Sequence, residues 1–587
     1  MKSLWSGNEA TARGIYEAGV SVGSAYPGTP STEIFESLEQ YPDVYCEWAP
    51  NEKVALEVAY GAAVGGVRAV TAMKHVGLNV AADPLFTASY NGVRGGFVVI
   101  TADDPSMHSS QNEQDNRHYA KAAKIPMFEP SDSEDSLLMM KEAFRLSEQY
   151  DTPVLFRTTT RVCHSKSIVE AGERETVEAK PYEKDTAKYI MTPANAYARR
   201  PFVEERTRRL MQYAETTPFN RTEMNGTKIG VITSGIAYHY AKEVFPADAS
   251  FLKLGFTCPM PPEKIRAFAA AVDTLYVIEE LDPFIETFVR TLGLDCIGKP
   301  TVPEMYELNP ERLREALFGT KPAYQTLPEK HVARPPALCP GCPHRGLFVT
   351  LKKFKNAIVT GDIGCYTLGA APPLESIDCI VCMGGGFTLA QGLAKAFDAS
   401  GRDDRVIFGL VGDSTFFHSG MTGAVEMIYN RARTKIVPIV LDNNTTSMTG
   451  QQENPGTGMR MRGEVAQVVP IERVLEAIGF AVIVVDPQDL DKMKAACDEA
   501  VKSEAPTAIV TRRPCVLIKR LRKERRRCIV DREQCRKCKR CLSVGCPAIF
   551  FKDGASFIDQ TLCAGCTVCL QVCPFDVIKM APLEVKA

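Results

Sequence analysis

Two near-copies of one cysteine pattern dominate the carboxy-terminal part of the chain: CRKCKRCLSVGCP from Cys535 and CAGCTVCLQVCP from Cys563. The second run reads C-x2-C-x2-C-x3-C-P. The first carries one extra residue, within Leu542–Gly545, before its fourth cysteine. Closely spaced thiolates wrap one side of a metal centre. Disulfides are the competing use, but they belong to small exported domains. Here the chain has 587 residues, and its start, MKSLWSGNEATARG, lacks the apolar core of an export signal. No apolar stretch approaches the ~20 residues a spanning helix needs, so neither membrane nor export is expected and the cytoplasm is. Zinc knuckles fit poorly, because there are eight ligands in two copies, each closing on Cys-Pro.

This tail resembles the bacterial ferredoxins, and that resemblance implies two [4Fe–4S] clusters in a small α+β domain. The fourth cysteine of each run then serves the other run's cluster. Cys535, Cys538, Cys541 and Cys573 are assigned to one cluster, and Cys546, Cys563, Cys566 and Cys569 to the other. Cys528 stands outside both runs as a bystander. The basic stretch KRLRKERRR, Lys519 to Arg527, reads first as a solvated linker and second as a surface that steers an acidic electron carrier. The overall balance, net charge -2 with 24% charged residues, gives no reason to expect nucleic acid as a partner.

Upstream, VIFGLVGDSTFFHSG (Val406 to Gly420) begins as a buried strand and stops at Gly412-Asp413. MTGAVEMIYNRA follows as a helix, and KIVPIVLDNNTTSMTG as a second buried strand. In such β-α-β units ligands sit beyond the carboxyl ends of the strands, where Asp413 and Asn443 fall. Carboxylate, amide and carbonyl oxygens suit Mg²⁺. The pattern Gly-Asp-Ser followed by Asn resembles the thiamine-diphosphate motif. It implies that Asp413, Asn443 and the carbonyl of Thr445 hold Mg²⁺, with Gly412 beside the diphosphate and Ser414 replacing the usual glycine. WAPNEKVALEVAYGAAVGGVRAV, Trp48 to Val70, places Glu52 at the start of an Ala/Gly-rich helix. Glu52, framed by Ala55, Ala59 and Gly61, resembles the glutamate that activates the cofactor in thiamine enzymes. Capping the helix is its alternative role, and Asn51 can do that equally. Glu57 lacks the small-residue frame.

Thiamine chemistry joined to single-electron carriers resembles the 2-oxoacid:ferredoxin oxidoreductase family. The likeness runs along nearly the whole chain through YPGTPSTEI, KHVGLN, CPGCPHRG, GDIGCYTLG, VGDSTFF and MGGGFTLAQGLAKA. Within that family the likeness is to the large α subunit of the branch acting on indolepyruvate. It implies oxidative decarboxylation of aryl pyruvates with coenzyme A as co-substrate, giving aryl-acetyl-CoA, CO₂ and reduced ferredoxin. It also implies a smaller β subunit in an α2β2 assembly. Three alternatives stay open: the same chemistry on phenylpyruvate or a branched-chain 2-oxo acid, an electron-transfer subunit with a degenerate thiamine site, and a non-oxidative thiamine decarboxylase whose clusters are structural. By the same resemblance Thr29 lies near the substrate carboxylate. The loop from Thr101 to Arg117 closes over the site, with Arg117 a candidate carboxylate partner and His75 and His108 candidate acid/base or orienting groups.

CPGCPH at Cys339, Cys342 and His344, together with Cys379 and Cys382 in DCIVCMGGG, has zinc-site spacing. The second pair falls in an apparent buried strand, where residues three apart face opposite sides. CPGC then lacks two ligands. The resemblance instead makes it a cofactor-pocket loop together with Ile363, Gly364 and Cys365. The resulting plan is α/β throughout, except for the tail: a pyrimidine-binding domain at 1–180, an intermediate α/β domain with a crossover segment at 181–320, a diphosphate domain at 321–518 and a ferredoxin-like domain at 528–587.

Overall fold

The computed structural model describes residues 2–320, 335–401, 405–521 and 526–582. The expected domain linker in HVARPPALCP and the basic run Lys519–Arg527 fall partly outside the described residues. Two compact units divide the chain, Met1–Pro328 and Glu329–Ala587.

The first unit is built on a seven-stranded sheet. Its strands run in the order Tyr45–Trp48, Val22–Ala25, Ala69–Lys74, Phe97–Asp103, Val154–Thr159, Met127–Phe128 and Phe256–Cys258. All neighbours are parallel except the last pair. The central strand, FVVITAD, is buried along its whole length, as a strand covered by helices on both faces must be. Ser6 and Glu9 form a reciprocal capping box on the first long helix, Gly7–Glu17. Asn51 caps the helix Glu52–Val64 by accepting from Val54 N at 2.8 Å, which leaves the Glu52 carboxylate free of that duty. Residues 171–185 have no regular structure, and the 24-residue helix Pro193–Thr216 follows. A four-stranded sheet is then made by Thr274–Ile278, Ile229–Ser234, Ser250–Leu254 and Asn220–Glu223. The expected boundary at 180 does not isolate a sheet, because Phe256–Cys258 from the later segment completes the edge of the first one.

The second unit holds a parallel six-stranded sheet in the order Cys379–Ile380, Ala357–Gly361, Val406–Gly412, Ile436–Asp442, Thr507–Arg512 and Ala481–Val485. Cys379–Ile380 is a two-residue edge strand with Cys382 exposed beyond it, so the buried strand expected there is not formed. Its flanks are loops, and Val381 is 61% exposed. After Gly412 the chain turns helical through Tyr429, with a widened π turn at Phe416–Gly420, a feature common near functional sites. The tail pairs Cys528–Val530 with Ile578–Met580, and Ile549–Lys552 with Ala555–Ile558. Asp553-Gly554, both at positive φ, make the tight turn of the second hairpin.

Candidate active site and cysteine cavities

In the first unit, loops leaving adjacent parallel strands bring together Thr29, Glu52, Lys74, His75 and Asp104. Glu52 is buried at the start of its helix, and Glu57 is exposed beside Lys53. Gly77 explains the glycine of KHVGLN: a side-chain carbon there would stand 2.6 Å from Glu52 Oε1, so only glycine leaves the carboxylate its place. Burial lowers the Lys74 ammonium to about 8, against the charges of Asp104 and Glu52, which hold it up. Lys74 Nζ donates to Ser109 O at 2.7 Å. Burial pushes the Asp104 carboxyl up, but donation from Ser110 Oγ (2.6 Å), Ser109 N (2.8 Å) and Thr160 Oγ1 (2.7 Å) outweighs it and holds the group below its ordinary value. Ser109 Oγ also donates to Thr29 O at 3.1 Å, tying the loop after Asp104 to the Thr29 turn. His75 is held neutral, its pKa lowered to about 4 chiefly by burial. Its Nε2 lies 3.3 Å from Asn112 Oδ1, and its buried Nδ1 has no partner among the described residues. His108 stands apart at the surface, 3.2 Å from Glu307.

Arg117 corrects one expectation. Instead of facing a substrate carboxylate it is 1% exposed, and every guanidinium nitrogen is engaged. It pairs with Asp115 and Glu279 at 2.5 Å each and donates to the carbonyls of Glu280 and Asp282. Arg157 lies in the same buried network, bonded to Asp103 at 2.7 Å and to Glu129. Burial raises Asp103 to about 6 and Glu280 to about 7. For Asp115 the attraction of Arg117 and Arg157 overcomes burial and holds the carboxyl well below the usual range.

In the second unit, Asp413 and Asn443 sit at the carboxyl ends of adjacent strands. Asp413 is 4% exposed, and burial, reinforced by Asp442, raises it to about 7. Thr445 N and Asn454 Nδ2 donate to its Oδ2 at 3.0 and 3.2 Å. The Asn443 amide nitrogen lies 3.0 Å from Ser447 Oγ and 3.1 Å from His344 Nε2, whose imidazole burial keeps neutral at about 4. Asn443 Oδ1 is buried without a hydrogen-bond partner among the described residues. A desolvated carboxylate beside an orphaned amide oxygen is the environment a bound cation satisfies, and Mg²⁺ fits it. Ser414 Oγ accepts from Thr446 Oγ1 at 2.8 Å, so the serine in place of the usual glycine is tied into the same loop. Gly364 and Gly412 both make room for the Tyr366 ring, whose hydroxyl accepts from Gly412 N at 2.9 Å and bonds the buried Asp362.

The tail cysteines line two cavities. Cys535, Cys538, Cys541 and Cys573 surround one, and Cys546, Cys563, Cys566 and Cys569 surround the other. Cys528, taken as a bystander, also lines the second cavity, its N–H donating to Cys563 Sγ at 3.4 Å. CPGC does not stand alone either. Cys365 lies within electrostatic reach of Cys515 and Cys339, and Cys342 within reach of Cys365 and Cys339. The two ligands that CPGC lacks by spacing are thus close by in space, and Cys515 had no sequence signal. Among the described residues only Asp115, His118 and Asp282 bring three such ligand atoms within 4.8 Å. The cysteine sulfurs are not among such groups, and the tail cysteines, four to a cavity, suit cubes bound at their corners.

Three family models match this chain: Pyruvate flavodoxin/ferredoxin oxidoreductase, thiamine diP-binding, over 13–228; Thiamine pyrophosphate enzyme, C-terminal TPP binding domain, over 362–511; and 4Fe-4S binding domain, over 557–579. Together with the fold they define a thiamine-diphosphate-dependent, ferredoxin-linked 2-oxoacid oxidoreductase carrying iron–sulfur clusters. Curated relatives named indolepyruvate oxidoreductase subunit IorA are 41% identical in Methanothermobacter marburgensis, over 98% of this chain and 96% of that one, and 39% in Archaeoglobus fulgidus, over 98% and 97%. The Pyrococcus horikoshii relative is 39% identical over 98% and 96%. The chain belongs to this indolepyruvate oxidoreductase IorA family. No helix among the described residues is long and apolar enough to cross a membrane.

Proposed function

We propose that this chain is the catalytic α subunit of a cytoplasmic enzyme that oxidatively decarboxylates indolepyruvate and related aryl pyruvates with coenzyme A. The products are an aryl-acetyl-CoA, CO₂ and reduced ferredoxin. A smaller β subunit completes an α2β2 assembly. The observation that carries this reading is the buried pair Asp413 and Asn443, with its orphaned amide oxygen, on the same compact unit as the cysteine cavities.

Thiamine diphosphate, when bound, supplies a nucleophilic carbon and an electron sink for decarboxylation. The chain's own residues do the rest. Asp413, Asn443 Oδ1 and the Thr445 carbonyl hold the Mg²⁺ that grips the diphosphate. Glu52, given room by Gly77, holds the proton exchanged with the cofactor's pyrimidine nitrogen. Lys74 takes the part expected of Arg117 and pairs with the substrate carboxylate, beside Thr29. His75, neutral and with one ring nitrogen unsatisfied, orients the substrate's polar end. The loop from Asp104 to Asn116, pinned by Lys74 and Asp104, keeps water from the reacting atoms. The eight tail cysteines hold two [4Fe–4S] clusters as grouped by their cavities, and Cys339, Cys342, Cys365 and Cys515 hold a third.

The test is anaerobic co-expression with the smaller subunit, followed by a screen of indolepyruvate, phenylpyruvate and branched 2-oxo acids. Bleaching of the visible cluster band, largest with indolepyruvate, is expected. No bleaching with any 2-oxo acid, despite bound thiamine, sinks the reading.

A further inference from the structure

We propose that electrons leave this protein through the cavity of Cys535, Cys538, Cys541 and Cys573. Its rim of Arg536, Lys537, Lys539 and Arg540 is the docking surface for an acidic one-electron carrier protein. The proposal rests on the catalytic reading above and specifies where its electrons exit.

The two cysteine runs act as internal controls for one another. Between their cysteines the first has Arg536, Lys537, Lys539 and Arg540, where the second has Ala564, Gly565, Thr567 and Val568. One copy forms its cavity without any of these charges, so holding a cluster does not require them. The surroundings explain the difference. The second cavity is lined in part by Gly341 and Arg345 of the diphosphate domain. A side-chain carbon on Gly341 would come within 2.6 Å of Ala564 Cβ, so the two loops are in close contact. Arg345 seals the junction, donating to Val544 O at 2.8 Å and Leu338 O at 2.6 Å. Gly341 and Arg345 flank His344, which touches Asn443. The second cavity therefore faces the thiamine-binding side.

Only tail residues line the first cavity. Its four cations and Cys538 are exposed, and none of the four makes an ion pair among the described residues. Lys539 Nζ instead lies over the Phe551 ring at 4.8 Å. Glu533 and Asp576 are the exposed acids nearest in sequence, and Asp553 is taken by Arg532. Phe575, 48% exposed, adds an apolar centre to the charged ring. An apolar spot within a cationic rim suits a carrier with the opposite charge. The electron count closes as follows: the 2-oxo acid loses CO₂, its acyl group joins the coenzyme A sulfur, one proton is released, and two electrons leave singly to two carrier molecules.

The test uses the assembled enzyme and a small acidic ferredoxin. Ferredoxin affinity is measured by calorimetry across ionic strength, alongside 2-oxo-acid-driven reduction of methyl viologen and iron content. In the quadruple variant Arg536→Gln, Lys537→Gln, Lys539→Gln, Arg540→Gln, Kd is expected to rise about tenfold or more at low salt and to lose most of its salt dependence. Viologen reduction and iron content should stay within about twofold. A Lys492→Gln, Lys502→Gln control on another face should not change ferredoxin binding. Unchanged ferredoxin Kd with full iron, or an equal effect in the control, overturns the proposal. If the quadruple variant loses iron, the single variants Arg536→Gln and Lys539→Gln, read by the same Kd, decide the matter. Wild-type protein that binds ferredoxin through the rim yet reduces no viologen with any 2-oxo acid would fail the catalytic reading alone.

Discussion

The amide nitrogen of Asn443 lies 3.1 Å from His344 Nε2, joining the end of a central strand to the CPGC loop. The neutral imidazole accepts there, so the amide oxygen, buried and unsatisfied, is the atom left to a cation. Losing such an orienting partner typically weakens metal affinity about 10- to 100-fold. His344→Ala should therefore raise the apparent Kd for Mg²⁺ and thiamine diphosphate by that factor, measured by cofactor titration of the apo enzyme. Unchanged affinity would exclude His344 from positioning Asn443.

Glu52 and Glu57 make a matched pair, one buried against Gly77 and one exposed beside Lys53. Glu52→Gln should lower kcat by about 100-fold or more, the usual scale for a proton-handling group, while Glu57→Gln should stay close to wild type. Steady-state reduction of ferredoxin measures both.

Lys74 titrates at about 8. It carries its charge below that pH and loses it above. If it meets the substrate carboxylate, KM for the 2-oxo acid should be flat to pH 8 and then climb about tenfold per pH unit, with kcat changing less. Lys74→Arg should move the rise beyond the accessible range, and a profile identical to wild type would reject this role.

Cys515 offers a count. With three cubes the chain should hold about 12 iron atoms, and Cys515→Ser or Cys365→Ser should bring that to about 8. Iron and sulfide analysis of anaerobically purified protein reads the difference directly. About 8 iron in wild type would leave those cysteines without a cluster.

Arg117→Ala should act on stability instead of substrate binding. Removing it leaves Asp115 and Glu279 buried without their cation, a change that typically costs about 3–5 kcal/mol. Denaturation midpoints should fall accordingly, with KM unchanged in the folded fraction.

The residues that sequence could name were those whose signal is local. Eight cysteines declare themselves by spacing, and Asp413 and Asn443 by falling where apolar strands end. Glu52 was legible through its small-residue frame. Arg117 misled because its polar loop resembles a binding loop, while one of its two acidic partners, Glu279, lies 162 residues further on. Cys515 is a single cysteine after a strand, and only the parallel pairing of Thr507–Arg512 with Ile436–Asp442 carries it to the site. Lys74 lies within KHVGLN without a local signal of its own, because its burial beside Asp104 depends on the pairing of Ala69–Lys74 with Phe97–Asp103. Cys379 and Cys382 look like a buried strand by hydrophobicity alone, yet Cys379 lies on the two-residue edge strand of the sheet and Cys382 is exposed beyond it.

The pairing of Phe256 with Phe128 and of Cys258 with Met127 has a consequence for anyone cutting this chain into pieces. A fragment ending at 180 would expose the backbone edge of Met127–Phe128 with nothing to pair with. Such an edge is a template for sticking to other copies. Expression of the amino-terminal module should therefore start from a piece that extends beyond Cys258, and insolubility of a shorter piece would report the missing strand, not a defective cofactor site.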